Sequence, residues 1–158
     1  MATEHEAFLR QAIELAVNNV RQGLGGPFGA LVVRDGEVIA CGTNCVTRTN
    51  DPTAHAEVVA IRAACEKMGV FQLEGCNIYT SCEPCPMCLG AIYWARVKAF
   101  YFAATKEDAA RGQFDDLSIY GEMHKLVEER TIPGYRMLAA EGFRPFEEWL
   151  NTQIKMPY

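Results

Sequence analysis

Residues 76–104, CNIYTSCEPCPMCLGAIYWARVKAFYFAA, decide the fold. Cys76 to Ser81 reads as a strand and Ala99 to Ala104 as another. Glu83-Pro84 is a short connection between the first strand and a helix from Cys85 to Ala95. Pro86 suits the first turn of that helix, where a missing amide N–H costs nothing. Strand, helix and strand in this order form a crossover unit, and such units are right-handed.

Working outward, residues 5–21 repeat apolar positions at Phe8, Ala12, Ile13, Ala16, Val17 and Val20, the pattern of a helix with one buried face. Gly23-Leu24-Gly25-Gly26-Pro27 stops it. Phe28 to Val33 is a strand, Asp35-Gly36 a hairpin turn, and Val38 to Gly42 the antiparallel return. Thr47 to Pro52 is polar and reads as a loop. Thr53 is the expected cap of the next helix, which carries His55, Glu57, Val58, Ile61, Ala64 and Cys65 and ends near Gly69. After Thr105 the pattern loosens. Ala109 to Ser118 reads as a surface loop, Glu122 to Glu129 as a short helix, and Pro145 to Ile154 as a helix in an aromatic-rich tail. The expected fold is α/β, three layers with a mixed central sheet and helices on both faces. No repeat or linker interrupts residues 1–158, so one domain is expected, with both helices that begin at His55 and Cys85 starting at one end of the sheet.

The chain has 158 residues, enough for one full hydrophobic core. Its apolar fraction of 49 % and charged fraction of 22 % are those of a soluble globular protein. No apolar run approaches a membrane span, and the first ten residues carry acids where a signal peptide would be apolar. Seven cysteines, unevenly spread, suit a reducing cytoplasm in which thiols serve metal or catalysis. A formal charge of −5 disfavours a phosphate backbone as partner, and no long basic stretch offsets it. A free base needs no such patch. Arg21, Arg34 and Arg62 read as solvated charges.

The chemistry lies in two fragments, His55-Ala56-Glu57 and Pro84-Cys85-Pro86-Met87-Cys88. Imidazole and thiolate suit Zn²⁺, and three protein ligands leave a fourth tetrahedral position for water. Cys85 and Cys88, at i and i+3, share one helical face, and a helix N-terminus favours thiolate. Glu57 stands two residues from His55 and is expected to shuttle protons without binding the metal. Zinc brings the pKa of a bound water toward 7, so hydrolysis runs at neutral pH. The combination H-x-E…P-C-x-x-C is the pattern of zinc deaminases that act on nucleobases. A closed structural zinc with Cys82 as fourth ligand is the competing reading, and that reading leaves Glu57 unexplained.

Three stretches, GGPFGA at 25–30, NDPTAHAEVVAIR at 50–62 and YTSCEPCPMCLGAIYWAR at 79–96, resemble the bacterial guanine deaminases of the cytidine-deaminase-like superfamily. The resemblance extends to FDD at 114–116, EERTIP at 128–133 and the terminal tyrosine. It implies hydrolysis of guanine to xanthine and ammonia, with one zinc per subunit on His55, Cys85 and Cys88. Glu57 and Asp116 are the implied catalytic residues. Phe28, Asn44, His55, Ala56, Trp94, Asp116 and Tyr158 are the implied contacts of the base. Phe28 and Trp94 would wall the pocket, Asn44 would bond the purine, and Asp116 would meet its amino side. Asn44 offers both donor and acceptor, and aromatic rings stack on any flat base. The resemblance also implies a homodimer with exchanged C-terminal segments and Tyr158 closing over the base, while cysteine use, charge and hydropathy give the expectation of a cytoplasmic protein with no stable complex with nucleic acid or membrane. Cytosine or another aminated heterocycle is the alternative substrate, and tRNA adenosine a further one.

Overall fold

The computed structural model describes residues 3–114 and 116–157. They form two compact units, Met1–Leu117 and Ser118–Tyr158. In the first, α1 (Glu4–Arg21) leads to the hairpin of β1 (Gly29–Arg34) and β2 (Glu37–Thr43). The short α2 (Val46–Thr49) follows, then α3 (Ala56–Met68), β3 (Asn77–Cys82), α4 (Pro86–Trp94), β4 (Ala99–Ala104) and α5 (Lys106–Arg111).

A capping box starts α1. The Thr3 hydroxyl accepts from the Glu6 amide, and the Glu6 carboxylate accepts from the Thr3 amide. The turn between β1 and β2 is the two-residue kind that needs positive φ twice, and Asp35 at 51° and Gly36 at 78° supply it. Gly69, at φ 66°, ends α3 in the left-handed conformation common after a helix.

The strands run in the order β2-β1-β3-β4. β1 is antiparallel to both β2 and β3, and β4 is parallel to β3. The mixed sheet expected from the sequence is present. Because β2 and β3 each oppose β1, they run in the same direction. The helices that follow them, α3 and α4, therefore both begin at the same end of the sheet.

Alternation along the strands divides the core in two, as a period of two requires. Ala30, Val32 and Ile78 face a cluster with Ala56, Ala60 and Ala64 of α3 and Ile92 and Ala95 at α4. Leu31, Val33 and Tyr79 face Phe8 and Ala12 of α1. The buried stripe of α1 is Phe8, Ala12, Ala16 and Asn19; Ile13 and Val20, apolar in the sequence pattern, are exposed. At the N-terminal end of α1, His5 bonds the Tyr79 hydroxyl at 2.7 Å and stacks on Tyr101 with ring centroids 4.3 Å apart.

Three local expectations change. The segment after Thr47 is partly helical, in α2. The segment from Ala109 begins inside α5, whose start is fixed by a Thr105–Asp108 capping box. α6 (Leu117–Met123) begins earlier than the sequence suggests; in the second unit a 3₁₀ turn covers Val127–Glu129 and α7 spans Arg144–Asn151. Of these helices α5 is started by a side-chain cap, whereas Cys45 and Phe143, at the N-caps of α2 and α7, make no such bond.

α3 lies against β2 with no room to spare. A methyl on Gly42 would stand 2.3 Å from the Ala56 carbonyl oxygen and 2.6 Å from the Ala60 nitrogen. These are backbone atoms, so a substitution there must move the first turn of α3. Gly42→Ala is expected to lower stability by about 1–3 kcal/mol, as overpacking commonly does, measured by urea unfolding.

Candidate active site

Two helix starts make the site. His55 is the N-cap of α3 and Cys85 the N-cap of α4; both have extended backbones, and neither side chain is spent on capping its own helix. Both side chains are thus free to turn toward each other. His55 Nδ1 lies 3.6 Å from Cys85 Sγ and 3.5 Å from Cys88 Sγ. The three ligand atoms all fall within 4.8 Å of one another, and Cys88 is fully buried.

The approach to His55 is built by Asp51, not by Thr53 as a cap. Asp51 Oδ1 accepts from the Thr53 amide at 2.8 Å and the Thr53 hydroxyl at 2.7 Å. Those bonds hold its carboxyl below the usual range, helped by Arg62 at 3.5 Å. Arg62 is therefore an exposed ion-pair partner, a correction to its reading as a merely solvated charge.

The cluster suits a divalent cation. The hydrogen bond from Cys88, opposed by burial, and that to His55 bring Cys85 down to about 4. Cys88 is held up by the same bond and by burial, and a thiophilic cation would displace its proton. One imidazole nitrogen and two sulfurs are a zinc donor set. Cys82 does not join it: its thiol points to the Thr105 carbonyl at 3.5 Å, and burial pushes it up to about 11.

Glu57 occupies the first turn of α3 and is only 6 % exposed. Burial raises its carboxyl, the Cys85 thiolate adds to that, and a hydrogen bond with Cys88 opposes it. It is beside the three ligands without being one of them. Asp116 is near enough that its charge raises both His55 and Cys82.

Asn44 is buried, and its Oδ1 accepts from the Gly26 amide at 3.3 Å. Its own amide donates to the Phe28 carbonyl at 3.1 Å, which ties the two residues together. Phe28 is half-buried and meets Phe114 edge-on, with centroids 5.1 Å apart. Phe114 was not singled out from the sequence, although it opens the FDD run. The Ala56 methyl is core, so only its backbone can meet a ligand; its N–H is among the first-turn donors that a helix leaves unused. Trp94 is the remaining aromatic of the sequence reading that the structure describes. It ends α4, is 62 % exposed, and lies under Arg96 at 5.9 Å from the ring centroid. Tyr158 lies outside the described residues.

Residues 2–104 match the family model for the cytidine and deoxycytidylate deaminase zinc-binding region. The chain belongs to this deaminase family. It is 57 % identical over 154 residues to the guanine deaminase of Bacillus subtilis, covering 98 % of this chain and 99 % of that one. The solved structure of the Bacillus subtilis enzyme superposes with a TM-score of 0.95 over 98 % of each chain. The guanine deaminase of Nitrosomonas europaea is 35 % identical, with a TM-score of 0.67 over 73 % of this chain and 65 % of that one. A tRNA-specific adenosine deaminase of Aquifex aeolicus is 40 % identical over 63 % of this chain and 65 % of its own. The candidate site lies within the zinc-binding region of the family, and His55, Cys85 and Cys88 are placed so that they could hold the metal.

Cys82→Ala is expected to keep about one zinc per chain, while Cys88→Ala loses most of it, because a catalytic zinc has three protein ligands. Metal analysis of the purified variants checks both.

Proposed function

We propose that the protein hydrolyses guanine to xanthine and ammonia. The observation that carries the chemistry is Glu57, buried beside a zinc donor set it does not join. The choice of guanine rests on similarity to a guanine deaminase along nearly the whole chain. The match to the tRNA enzyme covers about two thirds of it, and a charge of −5 does not favour RNA.

His55, Cys85 and Cys88 would hold the zinc, which when bound would supply Lewis-acid activation of the attacking water. Glu57 would take one proton from the attacking water and give it to the ring nitrogen next to the reacting carbon. It would then take the second from the hydroxyl of the tetrahedral adduct and give it to the amine, which leaves as ammonia as the carbonyl forms. Burial raises the Glu57 carboxyl, which eases the uptake of a proton. Asn44, with Oδ1 engaged by Gly26, offers its Nδ2 donors to an acceptor on the base edge. Phe28 supplies a stacking face, and Phe114 fixes the angle of that ring. Asp116 serves the amino side of the base.

The proposal includes a cytoplasmic homodimer in which the segment after Leu117 is exchanged, so that each site lies in a single domain completed by its partner's tail. Phe143, Phe146, Trp149 and Leu150 are exposed on or beside α7 and need a surface to cover. Trp94, exposed on its own chain, takes its role as a pocket wall in that assembly. Among the described residues no helix is long and apolar enough to cross a membrane.

Ammonia release from guanine, cytosine, adenine, their nucleosides and a triazine tests the substrate. Guanine is expected to have the highest kcat/KM; preference for cytosine would replace the substrate and leave the chemistry in place. Glu57→Gln is expected to retain zinc and lose about 10²–10⁴-fold in kcat. Deleting Tyr158 is expected to reduce guanine turnover with zinc content and folding preserved, in a protein that light scattering finds dimeric. Undiminished turnover in the deletion would remove Tyr158 from the pocket.

A further inference from the structure

We propose that Asn19 is a positioning residue for base recognition, acting through Asn44. This rests on Asn44 being a contact of the base. The buried stripe of α1 runs Phe8, Ala12, Ala16 and then Asn19. An amide stands where the helical pattern calls for an apolar side chain, and it is 3 % exposed.

Its nitrogen has a defined task. Asn19 Nδ2 donates to the Gly26 carbonyl at 2.9 Å and to the Asn44 carbonyl at 2.9 Å. Gly26 in turn donates its amide to Asn44 Oδ1 at 3.3 Å, so the three residues close a ring of hydrogen bonds. The Asn19 carbonyl accepts from the Leu24 amide at 2.9 Å, which fixes the start of the same loop. The loop presses closely on Asn44: a methyl on Gly25 would stand 2.0 Å from the Asn44 carbonyl oxygen.

The other end of the Asn19 amide has no such use. Its Oδ1 is buried and has no hydrogen-bond partner among the described residues. A buried acceptor left unpaired costs stability. A side chain selected only for packing would be apolar here, so what the position retains is the donor. Its effect is to hold the Gly26 amide against Asn44 Oδ1, which leaves the Asn44 Nδ2 group directed away from the loop. Asn19 touches no part of the base; it sets which end of Asn44 the base meets.

The test is steady-state guanine deamination by Asn19→Leu, Asn44→Ala and the double variant, with zinc content and thermal unfolding measured on each. Asn19→Leu keeps the size and removes both donations. It is expected to raise KM about tenfold or more, the loss that follows when a buried hydrogen bond is broken. kcat is expected to stay within about threefold, because binding of the ground and transition states falls together. Zinc content is expected to be unchanged. In the Asn44→Ala background the same substitution is expected to change KM by less than about twofold, since residues acting through one contact are not additive. Asn19→Ser, which keeps one donor, is expected to lie between wild type and Asn19→Leu and serves if the leucine variant does not fold.

A variant that loses zinc or folding while the active fraction keeps the wild-type KM would overturn the proposal and leave Asn19 a purely structural residue. Additive effects on KM would also overturn it, since Asn19 would then not act through Asn44. If Asn44→Ala alone leaves kcat/KM for guanine unchanged, it is the reading of Asn44 as a base contact that fails, and the inference falls with it.

Discussion

The site depends on the antiparallel pairing of β1 with both of its neighbours. That pairing makes β2 and β3 codirectional, so the helices after them start at one end of the sheet. Each start places a metal-ligating side chain at an N-cap. Helix N-termini carry partial positive charge, which favours the thiolate form of Cys85 at the N-cap of α4. The covalent spacing of Cys85 and Cys88 supplies two donors on one face. Only the sheet brings His55 to within 3.6 Å of them.

Small side chains set the depth at which the chemistry sits. Ala56, Ala60 and Ala64 line the face of α3 that meets the sheet, and Gly42 lets the helix backbone approach β2 directly. Larger residues would lift α3 and carry Glu57 away from Cys88. The close approach also buries the Glu57 carboxyl, and burial is the first cause of its raised pKa. Packing, proton affinity and catalytic position therefore follow from one contact between a helix and a strand.

The loop after α1 is held differently, by hydrogen bonds rather than apolar packing. Gly25 and Gly26 carry no side chain, so the loop after α1 is shaped by what its backbone bonds to. Asn19 and Asn44 supply those partners. The arrangement gives the His55, Cys85 and Cys88 cluster and the loop after α1 separate supports on opposite faces of the sheet, α3 and α4 for the first and α1 for the second.

The sequence by itself determined the four strands and the helices that pack on them, because alternation and helical periodicity reflect burial directly. It also singled out His55, Cys85 and Cys88, which the structure brings together, and Glu57 beside them, since H-x-E and C-x-x-C are local spacings with a chemical meaning. It did not disclose that Asp51 braces the approach to His55, nor that α5 precedes the FDD run. Capping and turn bonds there compete on nearly equal terms with the loop alternatives. Asn19 left a faint trace, a polar residue on the buried stripe of α1, but its two acceptors, Gly26 and Asn44, lie 7 and 25 residues away in the chain. Tertiary structure alone decided which donors meet which acceptors, and which face of each amide is left for a ligand. The reason is physical: periodicity records the environment of a residue, whereas a long-range hydrogen bond depends on the relative placement of two elements, and no local pattern encodes that placement.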